Sequence, residues 1–242
     1  QVIVRPDQLP AVQIENPRRS EERTAVAVVP LQGVAEDDYG VESLDLVVMR
    51  LSDKKLWTIP LVTGLKANPG VSWMRVDASG DRMRFRTNWT WDLATLSEAN
   101  LKSGDVLEYG LQVRDNYEVK GLRHDPVMSG RLRITIISQE DLTAKVVDEL
   151  RLVKDRIADV RLNQNRTKDE TRQIADDTKE KDNLDTADKT ALERLSNQQA
   201  TAATQARQLA TKVEQVQDKL NENKSPAKDL NDLARDVKDD LT

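Results

Sequence analysis

The chain of 242 residues has no cysteine, a single histidine and a single phenylalanine. Without cysteine there is no disulfide, no thiolate zinc site, no iron–sulfur cluster and no thiol nucleophile. A Ser-His-Asp triad has only His124 to draw on, and no serine or lysine motif accompanies it. Glycine-rich phosphate loops and the HExxH pattern are also missing. A membrane-spanning helix needs about 18 or more consecutive apolar residues, and the chain holds no such run. Net charge is −5, without the basic excess that nucleic-acid binding usually demands. The chain opens on Gln1 and ends at Thr242 within a helical pattern. We therefore expect a fragment of a longer protein, whose membrane anchor would lie outside it.

What is present is unevenly distributed. All nine glycines, all eight aromatic residues and seven of the eight prolines precede Ser138. After Ser138 the chain is built of Ala, Leu, Val, Gln, Lys, Asp and Glu, broken by Pro226. Glycine, proline and aromatics punctuate and fill β folds, whereas the second mixture is that of long helices. The expected division is a sandwich over 1–137 and long helices over 138–242.

Period-two alternation marks the first part. Leu44, Leu46 and Val48 alternate with polar or lesser residues. Met83, Phe85, Thr87, Trp89 and Trp91 share one face of a strand, and Arg82, Arg84 and Arg86 the other. Leu107, Tyr109, Leu111 and Val113 form a third set, and Leu132, Ile134 and Ile136 a fourth. Runs at Ala11–Ile14, Thr24–Ala35 and Leu56–Val62 bring the total to about seven strands. One buried and one wet face indicate antiparallel sheets. The fold class is an all-β immunoglobulin-like sandwich followed by an all-α antiparallel helical hairpin or coiled coil.

The helical part shows a heptad register. Val146, Leu150, Val153, Ile157 and Val160 begin a seam that turns polar at Gln164, Thr167 and Thr171. A break is expected at Asn183–Asp188. Leu192, Leu195, Gln199, Ala202, Ala206, Leu209, Val213, Val216 and Leu220 then continue. Ser225-Pro226 reads as a new helix start, with Leu230, Leu233, Val237 and Leu241 after it. The helices are expected at about 139–181, 186–223 and 226–241. The longer two would each extend roughly 60 Å. Their narrow apolar stripes require a partner helix, within the chain or from a second copy. The expected partners are thus proteins or self-association through the helices, with no nucleic acid.

Two loop segments echo one another. Ala35-Glu36-Asp37-Asp38-Tyr39-Gly40-Val41 and Val113-Arg114-Asp115-Asn116-Tyr117-Glu118-Val119 each follow a strand of the same direction, so both loops fall at one end of a sandwich. Asp37, Asp38, Asp115 and Asn116, with Asp125, are candidates to converge there. One reading is a calcium site, since calcium takes six to eight oxygens. The other is turn chemistry, in which Asp and Asn cap their own backbone and Gly40 allows a tight turn. Arg82, Arg84 and Arg86 form a basic ladder suited to an acidic partner or to solvent. Trp57 and Trp73 are the candidate exposed aromatics for a carbohydrate-stacking role.

The sandwich part resembles a module of large, membrane-anchored bacterial envelope proteins of unknown function. The resemblance spans roughly 10–145 and rests on Glu36-Asp37-Asp38-Tyr39-Gly40-Val41, Trp91-Asp92-Leu93, Gly104-Asp105-Val106-Leu107-Glu108-Tyr109 and Arg114-Asp115-Asn116-Tyr117. It implies a location at the extracytoplasmic or periplasmic face of the envelope and no catalytic residues. Leu101, Gly104 and Tyr109 also resemble, with two extra residues, the Leu-Gly-Tyr order of fibronectin type III domains. The expected function is a non-catalytic structural or interaction module, with a calcium-dependent adhesive or carbohydrate-binding module as the alternative.

Overall fold

The computed structural model describes residues 7–76, 82–179 and 183–239. The chain divides into two compact units, Gln1–Gln139 and Glu140–Thr242.

The first unit is a β-sandwich. Its strands are β1 (Ala11–Asn16), β2 (Glu21–Thr24), β3 (Val28–Asp37), β4 (Val41–Arg50), β5 (Leu56–Thr63), β6 (Lys66–Ala67), β7 (Ser72–Val76), β8 (Met83–Asp92), β9 (Val106–Asp115), β10 (Val127–Met128) and β11 (Leu132–Ile137). One sheet runs β1-β3-β8-β7, and the other β2-β11-β9-β4-β5-β6 with β10 paired to β9. The alternation read in the sequence supplies the facing layers. Val29, Leu31, Ala35 and Trp91 come from the first sheet and Leu44, Leu46, Val48, Tyr109, Leu111, Val113, Ile134 and Ile136 from the second, all buried. Trp91 and Tyr109 meet across the core, ring centroids 5.5 Å apart.

About seven strands were expected, and the described residues hold eleven. The additional ones are β2, β6, β7 and β10, each of five residues or fewer. β2 reads Glu-Glu-Arg-Thr, without an apolar residue to announce it. It is a strand because its backbone pairs in parallel with β11, from Glu21↔Ile134 to Thr24↔Ile137. The peptide bond Asn16-Pro17, between β1 and β2, is cis.

Gly33 sits on the inward face of β3. A Cβ there would lie 2.3 Å from Leu111 Cδ1 and 3.2 Å from Thr87 Cγ2. The missing side chain is therefore the space that Leu111 of the opposite sheet occupies.

Three helices make up the second unit: α1 (Gln139–Thr178), α2 (Thr186–Glu222) and α3 (Lys228–Asp239). The expected ends at 181 and 241, and Leu241 itself, lie outside the described residues. α2 begins with a reciprocal cap. Asp185 Oδ1 accepts from the Asp188 amide at 2.8 Å while Asp188 Oδ2 accepts from the Asp185 amide. The expected stripe is buried at Val146, Leu150, Val153, Ile157 and Val160 on α1, at Leu195, Ala202, Val213, Val216 and Leu220 on α2, and at Leu230 and Val237 on α3, where Ala234 is buried and the expected Leu233 is exposed. Ion pairs connect the helices: Glu149–Lys219 at 2.8 Å, Glu170–Arg194 at 2.7 Å and Glu214–Lys238 at 2.9 Å. None of the helices is long and apolar enough to cross a membrane among the described residues.

Candidate functional site

The carboxylates gather where β3 turns into β4 and where β9 ends. Register places them together, since Val41 at the start of β4 pairs with Asp115 at the end of β9. Asp37 makes the turn: its Oδ2 accepts from the amides of Tyr39 at 2.9 Å and Gly40 at 2.6 Å. Gly40 has φ +139, a conformation that side chains rarely adopt, and its carbonyl accepts from the Asn116 amide at 3.2 Å. Asp115 Oδ1 accepts from the Tyr117 amide at 3.3 Å, and its Oδ2 lies 2.6 Å from His124 Nδ1. The Tyr117 ring stacks on the imidazole, centroids 4.2 Å apart.

A third segment completes the group. Asp7, just before β1, places its carboxylate 3.7 Å from His124 Nδ1, and its side chain is only 8% exposed. Asp38 Oδ1 accepts from the neighbouring Gln8 amide at 3.4 Å. Two overlapping sets result, Asp7-Asp37-Asp38 and Asp7-Asp115-His124. Within each set one ligand atom per residue lies within 4.8 Å of the others.

The segment before β1, the end of β3 in the first sheet and the end of β9 in the second thus converge on one acidic end, and the electrostatics follow. Burial raises the Asp7 carboxyl above its ordinary value, and the charges of Asp38, Asp37 and Asp115 add to this. Burial raises Asp37 as well, against the lowering effect of its two amide donors. The hydrogen bond to Asp115 raises His124, aided by the charges of Asp115, Asp7 and Asp37.

Of the residues singled out in the sequence, Asp37, Asp38 and Asp115 come together. Asn116 adjoins the same turn: its amide nitrogen lies 3.4 Å from the point where a Gly40 Cβ would stand. Asp125 is exposed and outside both sets. Sequence reasoning missed Asp7, which lies outside the repeated loop pattern, and it assigned His124 no part in the cluster. The position of His124 in the loop between the last two long strands was the available signal.

The arginine ladder is not a free basic surface. Arg84 pairs with Glu15 and Glu36, each at 3.3 Å, and Arg86 with Glu15 at 3.4 Å. Arg82 donates to the carbonyl of Leu9 at 2.7 Å. Nor do the two candidate tryptophans stand free. Trp73 stacks on Phe85 at 4.9 Å, and Arg50 and Lys55 approach the Trp57 ring at 5.8 and 5.3 Å.

Fold and site together define a β-sandwich domain with an acidic loop end, followed by three helices. No family model matches the chain, and no curated protein does. Among solved structures it is similar to the fourth constant immunoglobulin domain of nurse shark IgNAR, at 14% identity over 54% of this chain and 98% of that one, TM-score 0.27. It is also similar to MtrC from Shewanella baltica, at 6% identity over 54% of this chain and 22% of that one, TM-score 0.29. A third is AggA, the major subunit of aggregative adherence fimbriae type I from Escherichia coli, at 8% identity over 54% and 94%, TM-score 0.25. These are similarities of fold.

Proposed function

We propose that the chain is a non-catalytic structural module of a larger cell-envelope protein. The sandwich acts as a spacer or docking domain and the helices as a rod folded into an antiparallel hairpin. The observation that carries this reading is the order of the helix-to-helix ion pairs. Glu149 on α1 meets Lys219 near the end of α2, while Glu170, farther along α1, meets Arg194 near its start. Partner numbers fall as the first numbers rise, which is the pattern of two helices running in opposite directions. The buried residues Val146, Leu150, Val153, Ile157 and Val160 of α1 and Leu195, Ala202, Val213 and Val216 of α2 supply the apolar burial that exposed ion pairs alone do not. The described partners of His124 are two carboxylates and a phenol ring, with no serine or threonine hydroxyl for the imidazole to activate. The envelope location rests on the resemblance of the Asp37–Val41 and Arg114–Tyr117 segments. The carbohydrate-binding alternative is weakened because Trp57 and Trp73 are half-buried and Trp73 stacks on Phe85.

A chain without cysteine takes spin labels cleanly. Labels on Lys168→Cys and Asn197→Cys should report a distance of about 20 Å or less by pulsed electron resonance. The distance should persist when labelled chain is diluted into excess unlabelled chain. A distance of 40 Å or more, or a signal lost on dilution, would overturn the intrachain hairpin.

A further inference from the structure

We propose that Asp7, Asp37, Asp38 and Asp115 form a binding site for a hard divalent cation of the calcium class at the loop end of the sandwich. The inference goes beyond the scaffold reading and does not depend on the helices.

Turn chemistry explains only half of the acidic end. Asp37 Oδ2 is fully used by the amides of Tyr39 and Gly40. Its Oδ1 is buried with no hydrogen-bond donor, on a residue that is 0% exposed. Both carboxylate oxygens of Asp7 are likewise buried without a hydrogen-bond donor, on a side chain 8% exposed; Oδ2 has only the long ion pair to His124 Nδ1 at 3.7 Å, and Oδ1 has none. Buried carboxylate oxygens are ordinarily hydrogen-bonded, ion-paired or bound to a metal. Here three of them converge from two distant segments, with Asp38 and Asp115 beside them. No turn needs Asp7, because it caps nothing.

The geometry suits one ion. Two oxygens that each lie about 2.4 Å from a calcium ion are at most about 4.8 Å apart. The Asp7, Asp37 and Asp38 ligand atoms fall within 4.8 Å of one another. The ligand atoms here that lack a hydrogen bond are all carboxylate oxygens, which suits a hard cation. His124 stands at the flank, hydrogen-bonded to Asp115 Oδ2 at 2.6 Å, and orients that carboxylate. Main-chain carbonyls and water would supply the remaining ligands that calcium takes. An ion here ties the segment before β1 to the β3–β4 turn and to the end of β9.

The test is a thermal melt of the full chain followed by tryptophan fluorescence. All four tryptophans, Trp57, Trp73, Trp89 and Trp91, lie in the sandwich, so the helices stay silent. Millimolar calcium against chelator should raise the midpoint by several degrees. Asp7→Asn should raise the midpoint in chelator, because relief from burial of the charge and from Asp37, Asp38 and Asp115 outweighs the long ion pair to His124 that is given up, and should abolish the calcium shift. Asp37→Asn, which keeps an oxygen for the two amides, should also abolish the shift. No calcium shift in the parent chain would overturn the proposal. So would a shift that survives both substitutions. A shift with zinc alone, lost in His124→Ala, would overturn it too by assigning the site to an imidazole-bound metal.

Discussion

Gly33→Ala tests whether the interior of the sandwich is filled as tightly as its geometry indicates. Gly33 has no left-handed φ, so alanine fits its backbone, and in open space the change would stabilise by about 0.4–1 kcal/mol through the unfolded chain. The obstacle is steric. The new methyl would lie 2.3 Å from Leu111 Cδ1, 3.2 Å from Thr87 Cγ2 and 3.3 Å from the Gln13 carbonyl oxygen. Leu111 is 1% exposed and cannot swing into solvent. Overpacking of this kind costs about 1–3 kcal/mol, which exceeds the backbone gain. The net loss should lower the tryptophan-detected midpoint by roughly 3–10 °C for a unit of this size. Leu111→Ala alone should cost about 2–5 kcal/mol. The double variant should cost less than the sum of the two by about 1 kcal/mol or more, since each substitution removes the other's problem. A Gly33→Ala protein as stable as the parent, or strict additivity in the cycle, would refute the claim that Leu111 occupies the glycine's space.

Other consequences are as direct. Ser129 Oγ accepts from the Leu111 amide at 2.9 Å in a buried setting, so Ser129→Ala should cost about 1–3 kcal/mol in chemical denaturation. Asp185→Ala removes the reciprocal cap of α2 and should cost about 1 kcal/mol, read from helical circular dichroism. The hydrogen bond from Arg50 holds Asp53 down to about 2, and hydrogen bonds from Arg131 and Arg133 lower Glu108. Depressed carboxyls contribute stability above their ordinary values of 3.8 and 4.5, and that contribution is lost as pH falls toward the folded-state values. Asp53→Asn and Glu108→Gln should therefore each flatten the acid limb of a melt series between pH 5 and about 2. An unchanged limb would show that these pairs do not survive in solution.

The long strands were legible because their inward residues repeat every second position, as at Leu44, Leu46 and Val48. The short strands were not, because pairing rather than composition defines them. β2 is polar throughout, yet its backbone completes the sheet beside β11. The helices were legible to within a few residues because heptads and the break at Asn183–Asp188 are local signals; the reciprocal cap that Asp185 and Asp188 form within that break was not read. The acidic end was half legible. Asp37, Asp38 and Asp115 announce themselves by a repeated loop string, but Asp7 reaches them only through the fold. The arginine ladder misled for the converse reason. Glu15 and Glu36 lie on β1 and β3, and the register that sets them against Arg84 and Arg86 cannot be read along one strand.

The parallel pairing of β2 with β11 has a mechanical meaning. Asp7 lies at the acidic end of the sandwich, and Ile136, beside Asp105, at the other. The second strand, β2, and the last, β11, thus lie side by side, and a pull passed to β2 through β1 drives them past one another. The backbone bonds between Glu21–Thr24 and Ile134–Ile137 would then be loaded together in shear rather than opened in turn. A short polar strand that contributes little to the core is placed where it would bear tension.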